Sequence, residues 1–427
     1  MPAFTKTLLR DRLLLYVVGA CLIVHLISAV VSVKTHPYSI SPMQDPLEYR
    51  TIALNLLEHG TFSIAPASEH NPDMLRTPLY PFFLAGTYLV DDSGFTAILL
   101  QQILLALMGV LLFLLLRHFG VSHTISLVLT ALYLLEPQQW LYSLQTMTET
   151  FSSFFLLCAI AAVFLGEKIA PSRRAMVMGI CVGLALLTKP TILILTPFLL
   201  ALLWRIELKW KENLRIIMIA LAVSVLVISP WLVRNYLLVG TPELSSSHVY
   251  NFAIAFNKSD LARTLNQGPP LVDSAGRAGQ VMYGFTKEGY PAVINVAKEA
   301  LANISIARLV SAQIACAPIV WFSLPAVYDN ISTIAISRPI PGMQGFGYVV
   351  SWAALLLYLA GMAILVRRKM YVAATAFAGM VFATVFINIC LSYSRMLLPL
   401  YPVIFVGIGI ALESIFLWFR AQTSKGN

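Results

Sequence analysis

Residues 95–116 run for 22 positions without a charged side chain, and that stretch alone excludes most folds. As a helix rising 1.5 Å per residue it would be about 33 Å long, enough to cross the ~30 Å hydrocarbon core of a bilayer. Spans of suitable length and polarity recur near 13–33, 143–165, 215–233, 346–366, 370–391 and 397–419. Shorter candidates near 122–135, 174–188 and 191–204 read as thin helices or re-entrant pieces. With 58% hydrophobic residues, 11% charged and a mean hydropathy of +0.79, no water-soluble globule could cover the apolar surface. The expected fold class is an all-α polytopic membrane protein: about ten transmembrane helices, with two outer-face loops containing interfacial helices.

Charge placement orients these spans. Lys6, Arg10, Arg12, Arg117, Lys168, Arg173, Arg174, Arg205, Lys209, Lys211, Arg215, Arg367, Arg368, Lys369, Arg420 and Lys425 crowd the termini and alternate short connections. They are 16 of the 29 basic residues and place both termini in the cytoplasm by the positive-inside rule. The segment 305–327 is apolar enough for an eleventh span. Counting it would put Arg367, Arg368 and Lys369 outside, so it reads as a partly buried outer segment. The net charge of +9 is therefore a topology signal. No basic stripe with interleaved aromatics suggests nucleic acid. Cys21, Cys158, Cys181 and Cys390 fall inside spans as small apolar residues, and Cys316 has no partner in sight. The first span lacks a small-residue cleavage site and reads as an uncleaved anchor.

The whole chain, 1–427, reads as one membrane-embedded domain whose pattern is broken by outer loops at 34–94 and 234–345. In the first loop Tyr49, Ile52, Ala53, Leu56 and Leu57 form one face of a helix over 46–58, ended by Gly60. In the second, Val293, Val296, Ala297, Ala300, Leu301 and Ile304 recur at helical spacing opposite Asn295, Lys298, Glu299 and Asn303, as in a helix lying in the interface. Three Asn-X-Ser sites, Asn257, Asn303 and Asn330, fall in the same loop, consistent with an exterior position.

Ionisable residues beside lipid are costly, which makes the few outer-face charges informative. Asp45, followed by Pro46 and Glu48, makes a good helix start, and a carboxylate held there could also serve as a general base. Arg76 precedes a Pro78–Pro81 re-entry. Pro230-Trp231 is followed by Arg234-Asn235, whose donors suit phosphate or sugar oxygens. Arg395 precedes Pro399 and Pro402, and Lys189-Pro190 joins two short spans. One acid, Asp45, and four cations, Arg76, Lys189, Arg234 and Arg395, thus converge on one face. Glu149 and Glu136 are further acids at that level, each readable as a cap or surface carboxylate. His36, His59 and His70 lack metal-ligand spacing, and no phosphate-cradling Gly-rich motif points to a nucleotide, so no cofactor is implied.

The set resembles the membrane-embedded glycosyltransferases of the C superfamily, in particular the dolichyl-phosphate-mannose protein mannosyltransferases and bacterial aminoarabinose transferases. Four features carry the likeness: Asp45 and Tyr49 followed by Ala53, Asn55, Leu56, Leu57 and Gly60; Arg76 with Pro78 to Pro81; Pro230-Trp231 with Arg234-Asn235; and Arg395 with Pro399 and Pro402. The chain departs from the pattern at Gln44-Asp45-Pro46, which has no adjacent second acid, and at Val249-Tyr250-Asn251.

The resemblance implies an inverting hexosyl- or pentosyltransferase that moves a sugar from a polyprenyl-phosphate donor to a lipid, glycan or protein acceptor at the outer face. Asp45 would be the catalytic base. Arg76, Tyr80, Lys189, Arg234, Asn235 and Arg395 would bind donor phosphate or substrate, with Glu48 and Glu149 as secondary acids. The expected setting is a bacterial inner membrane, among membrane lipids and without nucleic acid. A lipid-linked sugar flippase, a non-catalytic envelope-assembly protein and a polyprenyl-diphosphate glycan ligase are the competing readings. One-sided charge and the absence of a visible repeat weigh against the flippase.

Overall fold

The computed structural model describes residues 11–35, 44–64, 72–166, 168–249, 290–307, 310–311, 314, 343–387 and 394–424, and among them every regular element is helical. The chain enters through α1 (Arg12–Thr35), then α2 (Gln44–His59), α3 (Leu79–Tyr88), α4 (Phe95–His118) and α5 (His123–Leu134). After α6 (Pro137–Ser143) come α7 (Glu149–Phe164), α8 (Pro171–Thr188), a 3-10 turn (Pro190–Leu195) and α9 (Thr196–Ala201). α10 (Trp210–Val239) and α11 (Tyr290–Asn303) follow. The last group is α12 (Met343–Arg367), α13 (Tyr371–Ile387), a 3-10 turn (Ser394–Leu400) and α14 (Tyr401–Thr423).

Five of these segments are long and apolar enough to cross a membrane: Arg12–Val31, Phe95–His118, Trp210–Val239, Gly347–Arg367 and Arg395–Thr423. Shorter apolar helices cover His123–Leu134, Glu149–Phe164, Pro190–Ala201 and Tyr371–Phe386. Their outward faces are oily: Ile27, Leu226 and Leu356 are each at least 60% exposed, as a lipid-facing surface requires. Two expected spans differ in detail. The helix anticipated over 143–165 begins only at Glu149, and 191–204 is a 3-10 turn running into the short α9. Segment 305–327 lies almost wholly outside the described residues, as do Cys316, Cys390, Asn257, Asn330, His36 and His70.

Close backbone contact fixes the bundle. Lipid tails compete equally well for apolar side chains, so membrane helices associate where small residues let backbones approach. Gly179 and Gly183, four residues apart on α8, face α10: a Cβ on Gly179 would sit 2.5 Å from the Ala220 carbonyl oxygen, and one on Gly183 2.7 Å from Val227 Cβ. Ser224 Oγ bonds across to the Gly179 carbonyl at 2.9 Å. A second seam joins α12 to α14, where a Cβ on Gly361 would meet the Gly407 oxygen at 2.0 Å. α7 packs on α8 and on the 3-10 turn before α14, and α2 packs on α3. Those contacts bring the start of α7, the end of α8 and residues 394–400 to the same end of the bundle as α2.

The two amphipathic loop helices form as the periodicity predicts. On α2, Tyr49, Ile52 and Ala53 are buried, and Gly60 follows the helix at φ +65°. On α11, Val293, Val296 and Ala300 are buried while Asn295, Lys298 and Glu299 are exposed.

Candidate active site

Asp45 and Glu48 lie three residues apart on the first turn of α2, so their carboxylates share one face. Both turn toward Arg76. Its Nη2 pairs with Asp45 Oδ1, and its Nε donates to Glu48 Oε2 at 2.8 Å. The guanidinium stands 5.0 Å over the Tyr49 ring, one residue past Glu48. A helix-capping role for Asp45 would leave its oxygens on backbone amides; instead they hold side-chain cations. The second acid missing beside Asp45 in the sequence is supplied one helical turn on, by Glu48.

The segment carrying Arg76 is held from several sides. Asp73, 3% exposed, accepts from Ile64 N at 2.7 Å and Leu75 N at 3.0 Å, closing the loop on itself. Ser245 Oγ donates to the Leu75 carbonyl at 2.5 Å, and Ser246 N to the Met74 carbonyl at 2.9 Å. Thr77 Oγ1 donates to the Thr188 carbonyl at 2.8 Å, tying Arg76 to the end of α8.

That end delivers the next cation. Lys189, 8% exposed, donates from Nζ to Glu149 Oε1 at 3.0 Å. Glu149 opens α7, where the positive end of the helix dipole favours a carboxylate, and it is 2% exposed. Arg395, on the 3-10 turn before α14, completes the ring: its Nη1 lies 2.9 Å from Asp45 Oδ2 and 4.0 Å from Glu149 Oε1. Asp45 therefore bridges two guanidiniums, and Arg395 links the Asp45 pair to the Glu149–Lys189 pair. Removing one member of such a shielded set would leave a costly unpaired charge, so each holds the others in place.

Three carboxylates meet three cations here: Asp45 and the two expected secondary acids, Glu48 and Glu149, with Arg76, Lys189 and Arg395, while Arg234 stands apart. The formal charges of these six groups balance. Burial opposes ionisation of Asp45, but the charges of Arg76 and Arg395 outweigh it and hold the carboxyl well below the usual range. Burial works against Arg76 too, and Glu48, Tyr49 and Asp45 more than offset it, so its guanidinium stays charged. Asp73 behaves oppositely. Burial dominates over its two backbone hydrogen bonds and the nearby Arg234, and its carboxyl is pushed up to about 6.

Other expected residues sit elsewhere. Arg234 forms no ion pair with the cluster among the described residues. It donates to the Asp73 carbonyl at 2.5 Å and to Asn235 Oδ1 at 2.8 Å, with its guanidinium 4.6 Å over Trp231. Asn235 is fully buried and donates to the Glu243 carbonyl at 2.6 Å. The Arg234-Asn235 pair is thus a clamp between α10 and the first loop. Tyr80 is also fully buried, its hydroxyl donating to Gln101 Oε1 at 2.7 Å and its ring edge-on to Tyr49 at 5.2 Å. It packs against Tyr49, the ring over which the Arg76 guanidinium stands. Glu136 caps α6 through Gln139 N at 2.7 Å, as its simpler reading had it.

Asp73 and Thr77 escaped the sequence reading. Asn71-Pro72-Asp73 is a turn signal that could have marked the first, whereas nothing local marks Thr77. Along 145–153 the side-chain oxygens of Gln145, Thr146, Thr150 and Ser153, and Glu149 Oε2, are buried without a partner among the described residues. Oxygens so placed call for water or a hydroxyl-rich ligand. No group of three His, Cys, Asp or Glu side chains suited to a metal occurs among the described residues.

Comparison with known proteins bears on the family. Residues 75–233 match the family model described as dolichyl-phosphate-mannose-protein mannosyltransferase. The solved oligosaccharyltransferase of Archaeoglobus fulgidus, tethered to an acceptor peptide with an NVT sequon, aligns at TM-score 0.46 and 14% identity, over 94% of this chain and 50% of that one. This chain thus spans about half the length of that protein. ArnT from Cupriavidus metallidurans, bound to undecaprenyl phosphate, aligns at TM-score 0.41 and 15% identity, over 94% of this chain and 77% of that one. No curated protein matches the sequence significantly. The family match bears out the resemblance to membrane glycosyltransferases of the C superfamily, and with the apolar helices it makes this an integral membrane protein.

Proposed function

We propose that the chain is an inverting glycosyltransferase that moves a sugar from a polyprenyl-phosphate donor to an acceptor hydroxyl on a lipid, glycan or protein, with Asp45 as the general base. The observation that carries this reading is Asp45 held between Arg76 and Arg395, groups brought together from distant parts of the chain. The reaction needs two things: a base for the acceptor proton, and positive charge for a departing phosphate. The cluster contains both.

In the free protein both Asp45 oxygens face guanidiniums, which makes it a weak base. A donor phosphate competes for the same cations. Arg76 can move onto it while keeping Glu48, and Arg395 can do so while remaining near Glu149. Donor binding thereby releases the base it needs. Asp45 then takes the acceptor proton as the acceptor atom bonds to the anomeric carbon from the opposite face. The bond from that carbon to the phosphate oxygen breaks, and polyprenyl phosphate leaves as an anion among Arg76, Arg395 and Lys189. A phosphate is a good enough leaving group that no general acid is required.

Ten spans, cytoplasmic termini and an outer-face site complete the proposal on the strength of the basic connections, and a bacterial inner membrane is its proposed setting. The sugar and the acceptor are defined by experiment: release of free polyprenyl phosphate from a panel of polyprenyl-phosphate sugars, with crude membrane acceptors. Release that depends on Asp45 supports transfer. Donor binding without release with any donor would favour the flippase or assembly-protein readings.

A further inference from the structure

A second charged cavity lies at the opposite end of the bundle from Asp45. α8 runs from Pro171 to Thr188, 18 residues, which separates its start from Lys189 by roughly 27 Å. At that start is a cavity of about 280 Å³ lined by His118, Arg174, Arg205 and Lys369, with Glu207 the one carboxylate among its lining residues. Arg174 is only 6% exposed, its Nη1 donating to the Val163 carbonyl at 3.2 Å. Arg205 and Lys369 form no ion pair among the described residues. Lys369 is fixed in the tight turn between α12 and α13 at φ +60°, a costly conformation for a residue with a Cβ. Pro171 also lines the cavity, so the positive end of the α8 dipole adds to the field.

The cavity does not stop at the charges. It shares Trp204, Tyr371 and Val372 with an apolar groove of about 550 Å³ that runs between α9, α10 and α13 past Phe198, Ile217 and Thr375. Trp204 and Tyr371, at the junction, are 42% and 49% exposed. Amphipathic aromatics of this kind mark the headgroup level of a bilayer. A soluble anion would have no use for the groove, and a zwitterionic lipid would leave the excess cations uncompensated. Basic pockets between helix ends at a membrane face suit anionic headgroups.

We propose that this composite site binds one anionic glycerophospholipid, its phosphate among Arg174, Arg205 and Lys369 and an acyl chain in the groove along α13. The site is independent of the glycosyl-transfer reading, since it shares no residue with the Asp45 cluster.

Native mass spectrometry of the full chain in a non-ionic detergent tests it, with dioleoyl phosphatidylglycerol and dioleoyl phosphatidylcholine as probes. Phosphatidylglycerol should be retained in preference to phosphatidylcholine. The double variant Arg205→Gln/Lys369→Gln should lower its retention by about fivefold per charge removed and leave phosphatidylcholine unchanged. Both substitutions fall on exposed side chains, so the fold is kept. Thr375→Trp, which fills the groove, should weaken retention without altering the headgroup preference. Equal retention of the two lipids, or wild-type retention of phosphatidylglycerol by the double variant, overturns the proposal.

Discussion

Arg395 Nη1 lies 2.9 Å from Asp45 Oδ2, so two residues 350 positions apart share one ion pair. Arg76 holds the other Asp45 oxygen. A carboxylate clamped this way is stable and catalytically quiet, and the proposed chemistry begins when a phosphate loosens the clamp.

This exchange has a signature in pH. In the free protein the folded-state pKa of Asp45 is depressed, so its contribution to stability is present above the ordinary value of 3.8 and is lost only as pH falls toward the lowered one. Once the cations turn to the donor, the depression is relieved. The acid limb of kcat should therefore fall at a higher pH than that of kcat/KM, since the first reports the donor complex and the second the free protein. Coincident limbs would argue that the arginines never leave Asp45.

Asp73 carries the opposite dependence. Its carboxyl is raised to about 6, so between about 4 and 6 the folded state binds more protons than the unfolded one, and stability falls as pH rises through that window. Melting temperature of the detergent-solubilised wild type should drop across it and level off above. Asp73→Asn should flatten the curve, removing a dependence of about 2–3 kcal/mol.

Tyr80 and Arg234 separate a supporting role from a binding one. Tyr80→Phe leaves Gln101 Oε1 without its donor and should cost about 1 kcal/mol of stability while donor affinity stays within twofold. Arg234→Ala, which frees the Asp73 carbonyl, should likewise lower the melting temperature more than it raises KM for the donor. A large rise in KM at unchanged stability would return either residue to the binding site.

Arg76, Arg395 and Lys189 already pair with Asp45, Glu48 and Glu149, the carboxylates that a divalent ion would draw on. Chelation should leave polyprenyl phosphate release within twofold of the untreated rate. A loss restored by one added divalent metal would contradict this charge assignment.

The parts of the site that were legible in the sequence are those where a charge stands against an apolar background. Asp45, Arg76, Lys189 and Arg395 stood out because a charge beside lipid is costly and needs a reason. The amphipathic helices on either loop were equally plain, since their faces alternate at helical spacing. Arg234 and Tyr80 stand apart from the charge cluster, which sequence could not tell, since it shows that a donor exists but not where it is directed; in the fold, backbone carbonyls and Gln101 take them. Glu48 and Glu149 were undervalued for the same reason: each reads locally as a helix-start acid, and only packing brings them to Arg76 and Lys189. Gly179 and Gly183 show a small-residue spacing that could have been read as a helix seam.

The central claim rests on Asp45, and its test is release of free polyprenyl phosphate by wild type and Asp45→Asn at matched folding. In the variant Arg76 keeps Glu48 and Arg395 keeps only the 4.0 Å contact with Glu149, so some stability is lost and activity is compared on the folded fraction. The account predicts release by the wild type with at least one donor and a loss of about 10²–10⁴-fold in the variant. Equal release by both proteins would contradict it.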